Sequence, residues 1–186
     1  MNMKKCSVIS VSAILVLGLV SCKKENKQTE NQEEAVVEVV EPESEQIAAE
    51  GEQVFATDFT LNDINGNPLT LSSLRGKVVI LDFWGSWCRW CIKGIPDMKA
   101  YYQKYDGKFE ILGIDCGDTE EDWREAVRHN ELPWLHVYNP EDSDVTEKYN
   151  IEGYPTKIIV AADGTINKIF IGEDPAFYEY LDELLK

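Results

Sequence analysis

The chain has 186 residues, of which 44% are apolar and 28% are charged, and its formal net charge is −16. This length fits about one domain, whose core can form without support from disulfides or metal ions. The strong negative charge argues against nucleic acid as a partner, because binding to phosphates requires clustered Lys and Arg side chains.

The first segment has the pattern of an export signal. Two lysines precede an apolar run over residues 8–20, which is shorter than the roughly 20 residues that span a bilayer. The run ends in Leu-Val-Ser-Cys at Cys22, which resembles the lipobox of bacterial lipoproteins. The resemblance implies that residues 1–21 are a lipoprotein signal peptide, that Cys22 is acylated, and that Cys6 is lost on cleavage. An ordinary secretory signal or an uncleaved anchor is the alternative.

Residues 22–53 have the composition of a flexible linker. They are rich in Glu and Gln and contain no aromatic residue, so they cannot bury enough apolar area to offset the entropy of ordering the chain. A random coil of about 30 residues spans on the order of 30 Å, and like-charge repulsion extends it further. We therefore expect an acidic linker between the lipidated Cys22 and a folded domain over residues 54–186.

The folded part alternates predicted strands and helices. A continuous apolar run over residues 77–84 predicts a strand buried on both faces, and the acidic residues after Thr119 are typical of a helix start. Turn residues at 65–68 and 163–164 separate pairs of short strands. The predicted strands cover residues 55–61, 69–71, 77–84, 109–116, 156–160 and 166–171, with a short strand at His136, and the predicted helices cover residues 88–105, 119–129, 145–149 and 175–185.

This order of elements predicts an α/β fold with three layers. Alternating strands and helices favour parallel pairing with right-handed crossovers. The last two strands form a hairpin that adds antiparallel edge strands, and the first two form an added N-terminal β-hairpin. The result is a mixed central sheet with helices on both faces.

Two cysteines, Cys88 and Cys91, lie where the first buried strand ends and a helix begins. With two residues between them they can close a small disulfide. A helix N-terminus offers unpaired N–H groups and a positive dipole end, so we expect the pKa of Cys88 to fall below that of a free thiol, helped by the charge of Arg89. We expect Cys88 to be exposed and to attack, and Cys91 to be buried and to resolve the mixed disulfide.

The sequence around this pair resembles the active-site region of the thioredoxin superfamily, and its TlpA/ResA-like lipoprotein branch fits best. The likeness covers about residues 55–186 and implies a thioredoxin-like three-layer sandwich, protein thiol–disulfide oxidoreductase activity, a redox-active disulfide between Cys88 and Cys91, and no cofactor. The features that agree, in chain order, are the strand end Asp82-Phe83-Trp84, the run Trp87-Cys-Arg-Trp-Cys91, Pro96, which is expected to kink the helix, and Gly153-Tyr154-Pro155-Thr156 before a strand.

The same resemblance implies supporting roles. Asp82 would be a buried carboxylate beneath the cysteines, with a raised pKa, that accepts the proton of Cys91; a partly exposed strand-end acid is the alternative. Pro155 would be a cis-proline that presents the backbone of Tyr154 to an extended client segment, the alternative being a trans turn proline. Trp87 belongs to the Trp-Cys-x-x-Cys run, directly before the first cysteine.

Two positions depart from the family pattern. Arg89 and Trp90 lie between the cysteines, where a proline is common in second place, which leaves the redox potential open. Trp90 is either a contact for partner proteins or a lid packed on the motif. Many TlpA/ResA-like proteins carry Glu three residues after the second cysteine, where this chain has Gly94. We therefore expect Asp82 to be the only acid that tunes the site.

The remaining thiol and the imidazoles carry little signal. Cys116 ends a buried strand and is either an apolar side chain or a third redox thiol. The two histidines, His129 and His136, show no paired spacing, so we expect no metal site, and we expect His136 on a short strand with no catalytic role.

The resemblance implies an enzyme of the cell envelope, lipid-anchored to a bacterial membrane and facing the periplasm or exterior. Its partners would be proteins with disulfides or thiols and a membrane electron donor, and it would act in the reducing direction, for example in cytochrome c maturation or envelope thiol maintenance. Three alternatives stay open: a thioredoxin-fold copper-binding chaperone, which needs a wider cysteine spacing and a distant His; a lipoprotein that only binds partners; and a peroxiredoxin, which needs a Pro/Thr-containing loop before its cysteine.

Overall fold

The computed structural model describes residues 53–186. The predicted signal peptide, the lipidation site at Cys22 and all but the last residue of the predicted linker lie outside this range, so the boundary at residue 54 stays a prediction. The strands are β1 Thr60–Asp63, β2 Pro68–Thr70, β3 Val78–Trp84, β4 Phe109–Asp115, β5 Leu135–Tyr138, β6 Thr156–Val160 and β7 Ile166–Ile171, and the helices are α1 Arg89–Lys104, α2 Glu120–His129, α3 Val145–Lys148 and α4 Pro175–Leu184.

The seven strands form one mixed sheet in the order β2-β1-β5-β4-β3-β6-β7. Strands β3, β4 and β5 are parallel, whereas β6 joins β3 antiparallel and β7 continues outward from β6. The N-terminal hairpin is confirmed, and β1 attaches it antiparallel to β5, so that three-residue β2, which begins with Pro68, lies outermost. The predicted α/β class with a mixed sheet is therefore confirmed.

Helices cover both faces of the sheet, as predicted. On β3, Ile80 faces a cluster built with α1 and α4 through Met98 and Leu181, and its neighbour Leu81 faces the opposite cluster, which includes Val145 of α3. Both β3 residues are fully buried, because successive strand side chains point to opposite faces. The continuous apolar run thus predicted the central strand correctly.

The prediction for the first strand is wrong at its start. A strand was expected from Phe55, but Phe55 makes only an isolated bridge to Thr165, and β1 begins at Thr60. The carboxylate of Asp58 accepts hydrogen bonds from the backbone N–H groups of Phe59 and Ser72. A side-chain oxygen thus takes the place of the strand–strand hydrogen bonds that a regular ladder would supply here. The second strand also ends one residue early, since Leu71 opens a short 3-10 helix over Leu71–Leu74.

Candidate active site

The two cysteines of the motif form a disulfide at the start of α1. Cys88 is the N-cap residue of the helix, and its sulfur accepts a hydrogen bond from the N–H of Cys91 at 3.2 Å. The S–S distance is 2.08 Å and the Cα atoms are 5.2 Å apart. The first sulfur therefore lies at the positive end of the helix dipole, where a thiolate formed on reduction is stabilised.

The expected contrast in exposure between the two cysteines is wrong for this oxidised form. Cys88 is 6% exposed and Cys91 is 7% exposed. Both pack in one apolar cluster with Trp84 of β3 and Trp123 of α2, and α2 could not be placed over the motif from the sequence alone. The first sulfur is thus shielded before reduction.

Two tryptophans next to the cysteines are instead exposed. Trp87 and Trp90 are each 56% exposed, and the ammonium of Lys93 lies 4.7 Å from the ring centroid of Trp90. Of the two interpretations of Trp90, this exposure favours a contact for partners over a lid packed on the motif. Arg89, the other residue between the cysteines, is also exposed at the first position of α1.

Trp87 is held by contacts that the sequence did not indicate. Its indole Nε1 donates to the carbonyl of Cys116 at 2.9 Å, and its ring packs edge-on against Tyr154 at 5.3 Å. A side chain at Gly85 would place a Cβ 2.5 Å from that Nε1, so only glycine leaves room there. The carboxylate of Asp118 accepts from the N–H and hydroxyl of the residue before Trp87 at 2.7 and 2.6 Å.

The loop before β6 reaches the same site. The bond between Tyr154 and Pro155 is cis, as predicted. Tyr154 packs against the cluster that contains both cysteines, and burial raises its pKa to about 12. The carbonyl of Pro155 accepts a hydrogen bond from the N–H of Gly172 at 2.7 Å, which joins this loop to the one after β7.

Asp82 is the buried carboxylate that the sequence predicted. It is 8% exposed, and its pKa is raised, mainly by burial and also by the charge of Glu173, against the opposing effect of Lys157. The expectation that Asp82 is the only acid at the site is wrong, because Glu173 lies close enough to act on it. The sequence did contain a sign of this second acid. Lys157 is the one charged residue in the apolar strand that follows Pro155, and a buried ammonium requires an acidic partner.

A second buried acid, Asp115, was missed. It ends β4 opposite Trp84 of β3, it is 0% exposed, and neither carboxyl oxygen has a hydrogen-bond partner within the described part of the chain. Burial, followed by the interaction of its carboxyl group with that of Asp118, raises the pKa of Asp115 to about 8. In the sequence, Asp115 is only an acid at the end of an apolar run. An acid in that place can be exposed or buried, so its burial could not be predicted.

Cys116 and His136 occupy the predicted places. Cys116 is a free, buried thiol, and burial raises its pKa to about 12. His136 lies on β5, and burial lowers its pKa to about 3, so the imidazole is neutral. Among residues 53–186, no group of three or more His, Cys, Asp or Glu side chains is arranged to hold a metal ion.

We expect Cys116 to resist alkylation in the folded protein, because the thiolate is the reactive species and burial disfavours it. After reduction, iodoacetamide should label Cys88 in the native state and Cys116 only in urea. Peptide mass spectrometry measures both sites in one sample, with the unfolded protein as the control for intrinsic reactivity. Native labelling of Cys116 as fast as that of Cys88 would contradict the expectation and favour the third redox thiol.

Comparison with known proteins places the chain among disulfide-exchange proteins. A family model described as the AhpC/TSA family matches residues 53–169. The thiol-disulfide oxidoreductase ResA of Bacillus cereus (strain ZK / E33L) is 33% identical over 119 residues, which cover 63% of this chain and 68% of the relative. ResA of Bacillus subtilis (strain 168) is 31% identical over 122 residues, 63% of this chain and 65% of the relative.

Solved structures agree with this assignment. The thioredoxin domain of a thiol-disulfide oxidoreductase from Bacteroides vulgatus superposes with a TM-score of 0.67 at 31% identity, covering 73% of this chain and 99% of that domain. A thiol:disulfide interchange protein from Bacteroides sp. gives a TM-score of 0.65 at 30% identity, covering 73% of this chain and 90% of that protein. Within residues 53–186, no helix combines the length and apolar character needed to cross a bilayer.

Proposed function

Because the chain belongs to the AhpC/TSA family of the thioredoxin superfamily and is a thiol–disulfide oxidoreductase of the ResA type, we propose that it reduces disulfides of client proteins through Cys88 and Cys91. The observation that carries this proposal is the disulfide between these residues at the N-terminus of α1. The two sulfurs are bonded to each other in this oxidised form. After reduction, the helix dipole favours the anionic form of the Cys88 sulfur.

The proposed reaction has two exchanges. The thiolate of Cys88 attacks one sulfur of a client disulfide, and the other client sulfur leaves as a thiolate. Cys91 then gives its proton to the carboxylate of Asp82 and attacks the sulfur of Cys88, which releases the second client thiolate. The two protein thiols lose two electrons and the client disulfide gains them, so a further donor has to reduce the protein again.

The N-terminal segment supports a place for this cycle at a membrane. The lipobox-like sequence at Cys22 supports a lipid anchor in a bacterial membrane, and the acidic linker supports a domain that can meet clients and an electron donor at that membrane. The likeness to ResA-type proteins supports the reducing direction and clients such as apocytochromes, whose thiols the enzyme would release from a disulfide. Trp87, Trp90 and the backbone of Tyr154 are the proposed client contacts, with Arg89 beside the sulfur.

An equilibrium redox titration against glutathione or dithiothreitol tests the direction. We expect a midpoint potential closer to the about −270 mV of thioredoxin than to the about −120 mV of DsbA, since only a sufficiently negative couple passes electrons to client disulfides. The fraction of oxidised protein is measured by mass after trapping free thiols with an alkylating reagent. A potential near that of DsbA would count against the reducing role and favour oxidation of client thiols.

A further inference from the structure

The register of the sheet places a lysine opposite Asp82. In the antiparallel pairing of β3 with β6, Asp82 and Lys157 are direct cross-strand partners, so their side chains project from the same face. The ammonium of Lys157 lies 3.7 Å from the nearer carboxyl oxygen of Asp82. Lys157 is only 3% exposed, which makes this a buried cation that requires an anionic partner.

A second carboxylate lies closer to this lysine than Asp82 does. At Gly172, which has φ +83°, the chain turns after β7 and directs Glu173 toward the site. One carboxyl oxygen of Glu173 lies 3.2 Å from the ammonium of Lys157, and the other accepts from the hydroxyl of Tyr178 at 2.8 Å. The carboxyl oxygen of Asp82 that faces the lysine has no hydrogen-bond partner in this part of the structure.

Glu173 occupies the space that a side chain at position 94 would need. A Cβ built on Gly94 would lie 2.2 Å from the carboxyl oxygen of Glu173 that contacts Lys157. Gly94 follows Cys91 by three residues on α1, and residues with this spacing lie next to each other on one face of a helix. The carboxylate of Glu173 is therefore one helical turn from the resolving cysteine, although it comes from a distant loop.

The charges of these three groups do not balance. Two carboxylates and one ammonium leave a net charge of −1 in a buried site if all are ionised, and an uncompensated buried charge is costly. Because Lys157 is hydrogen-bonded to Glu173, Asp82 is the carboxylate that binds a proton most readily. The other titratable groups that sense the charge of Asp82 are the hydroxyl of Tyr178 on α4 and the thiol of Cys116, and the pKa of each is raised.

We propose that Glu173 is a positioning residue for the redox reaction, which keeps Lys157 hydrogen-bonded to itself rather than to Asp82 and thereby keeps Asp82 as the carboxylate that receives the proton of Cys91. This inference rests on the proposed function. In the step concerned, the S–H bond of Cys91 breaks, its proton goes to Asp82, its sulfur bonds to that of Cys88, and the client sulfur leaves with the electron pair of the mixed disulfide.

The test follows the second exchange alone as a function of pH. Reduced full-length protein carrying Cys6→Ser and Cys22→Ser is mixed with a substoichiometric amount of 5,5′-dithiobis(2-nitrobenzoate). The first release of thionitrobenzoate reports attack by Cys88, and the second, whose rate does not depend on reagent concentration, reports attack by Cys91. The pH at which the rate of the second phase is half-maximal measures the proton acceptance by Asp82. The rate of the first phase, measured in the same sample, serves as an internal reference.

Two variants are expected to lower this midpoint and a third to raise it. Glu173→Gln frees Lys157 to pair with Asp82 and should lower the midpoint by about 1 pH unit, the smaller end of the effect of an opposite charge at short range. Lys157→Met removes the cation that contacts Asp82 and Glu173 and should raise the midpoint by a similar amount. Gly94→Ala changes no charge, but its methyl group displaces the flexible end of Glu173 and should lower the midpoint as Glu173→Gln does.

The controls separate this role from a structural one. Glu179→Gln removes the same charge from an exposed position on α4 and should leave the midpoint unchanged, and a loss of stability alone would not shift midpoints in opposite directions. If the wild-type second phase is present but all three variants share its midpoint, the role of Glu173 is disproved. If the wild-type protein shows no second phase, the proposed function fails and this inference fails with it.

Discussion

Cys88→Ser is expected to reduce the rate of insulin reduction to that of the uncatalysed exchange with dithiothreitol. The sulfur of Cys88 is the one at the N-cap of α1, where the helix dipole stabilises the attacking thiolate, and a serine hydroxyl cannot form the mixed disulfide. Cys91→Ser keeps the attacking sulfur but stops the second exchange. We therefore expect this variant to accumulate a covalent complex with the client.

The control for both variants is Cys116→Ser, which removes the buried free thiol and should leave insulin reduction unchanged. The complex formed by Cys91→Ser is isolated under non-reducing conditions, and mass spectrometry identifies the client. Insulin reduction by Cys88→Ser at the wild-type rate would contradict the assignment and leave a domain that only binds partners. Peroxide consumption that survives Cys91→Ser but not Cys88→Ser would favour a peroxiredoxin, and Cu(I) retained in stoichiometric amount would favour a copper chaperone.

We expect the protein to lose stability as the pH rises, and we expect Asp115→Asn to remove much of that loss. The folded state raises the pKa of Asp115 from 3.8 to about 8, so between these values the unfolded state binds fewer protons than the folded state. The free energy of unfolding therefore falls with rising pH by about 1.4 kcal/mol per unit. From about pH 5 to about pH 8 this amounts to a loss of about 4 kcal/mol, which a neutral asparagine does not cause.

Urea unfolding of the oxidised protein at a series of pH values measures this effect. Asp106→Asn, at an exposed position after α1, is the matched control and should keep the wild-type slope. Asp82 also has a raised pKa, so it contributes a slope of the same sign, which remains in Asp115→Asn and should be further reduced in the double variant with Asp82→Asn. A single variant Asp115→Asn with the full wild-type slope would show that Asp115 is already ionised in the folded protein.

Much of the fold could be predicted because local signals were unambiguous. The predicted bounds of β6 and β7 are those observed, because a turn of Asp and Gly separates two clear apolar runs. The predicted start of α2 is also confirmed, since Thr119 caps the helix by accepting from the N–H of Asp122. In each case the deciding interaction lies within a few residues along the chain.

The parts that could not be predicted depend on contacts between distant segments. Glu173 meets Gly94 only because the turn after β7 lies next to helix α1 in the folded protein. No spacing in the sequence predicts this contact. The shielding of Cys88 depends on Trp123, which belongs to the next helix along the chain. The motif therefore predicted the cysteine pair that the structure joins in a disulfide, whereas the charged groups packed near it became visible only in three dimensions.

The outer strand of the N-terminal hairpin affects how readily the sheets of two copies of this protein can pair edge to edge. Strand β2 offers only three residues to a neighbour, and the first of them is Pro68, which has no N–H to donate. An edge strand this short, with so few N–H donors, offers another molecule few backbone hydrogen bonds. It therefore disfavours edge-to-edge polymerisation. The hairpin over residues 60–70 thus closes off one side of the sheet.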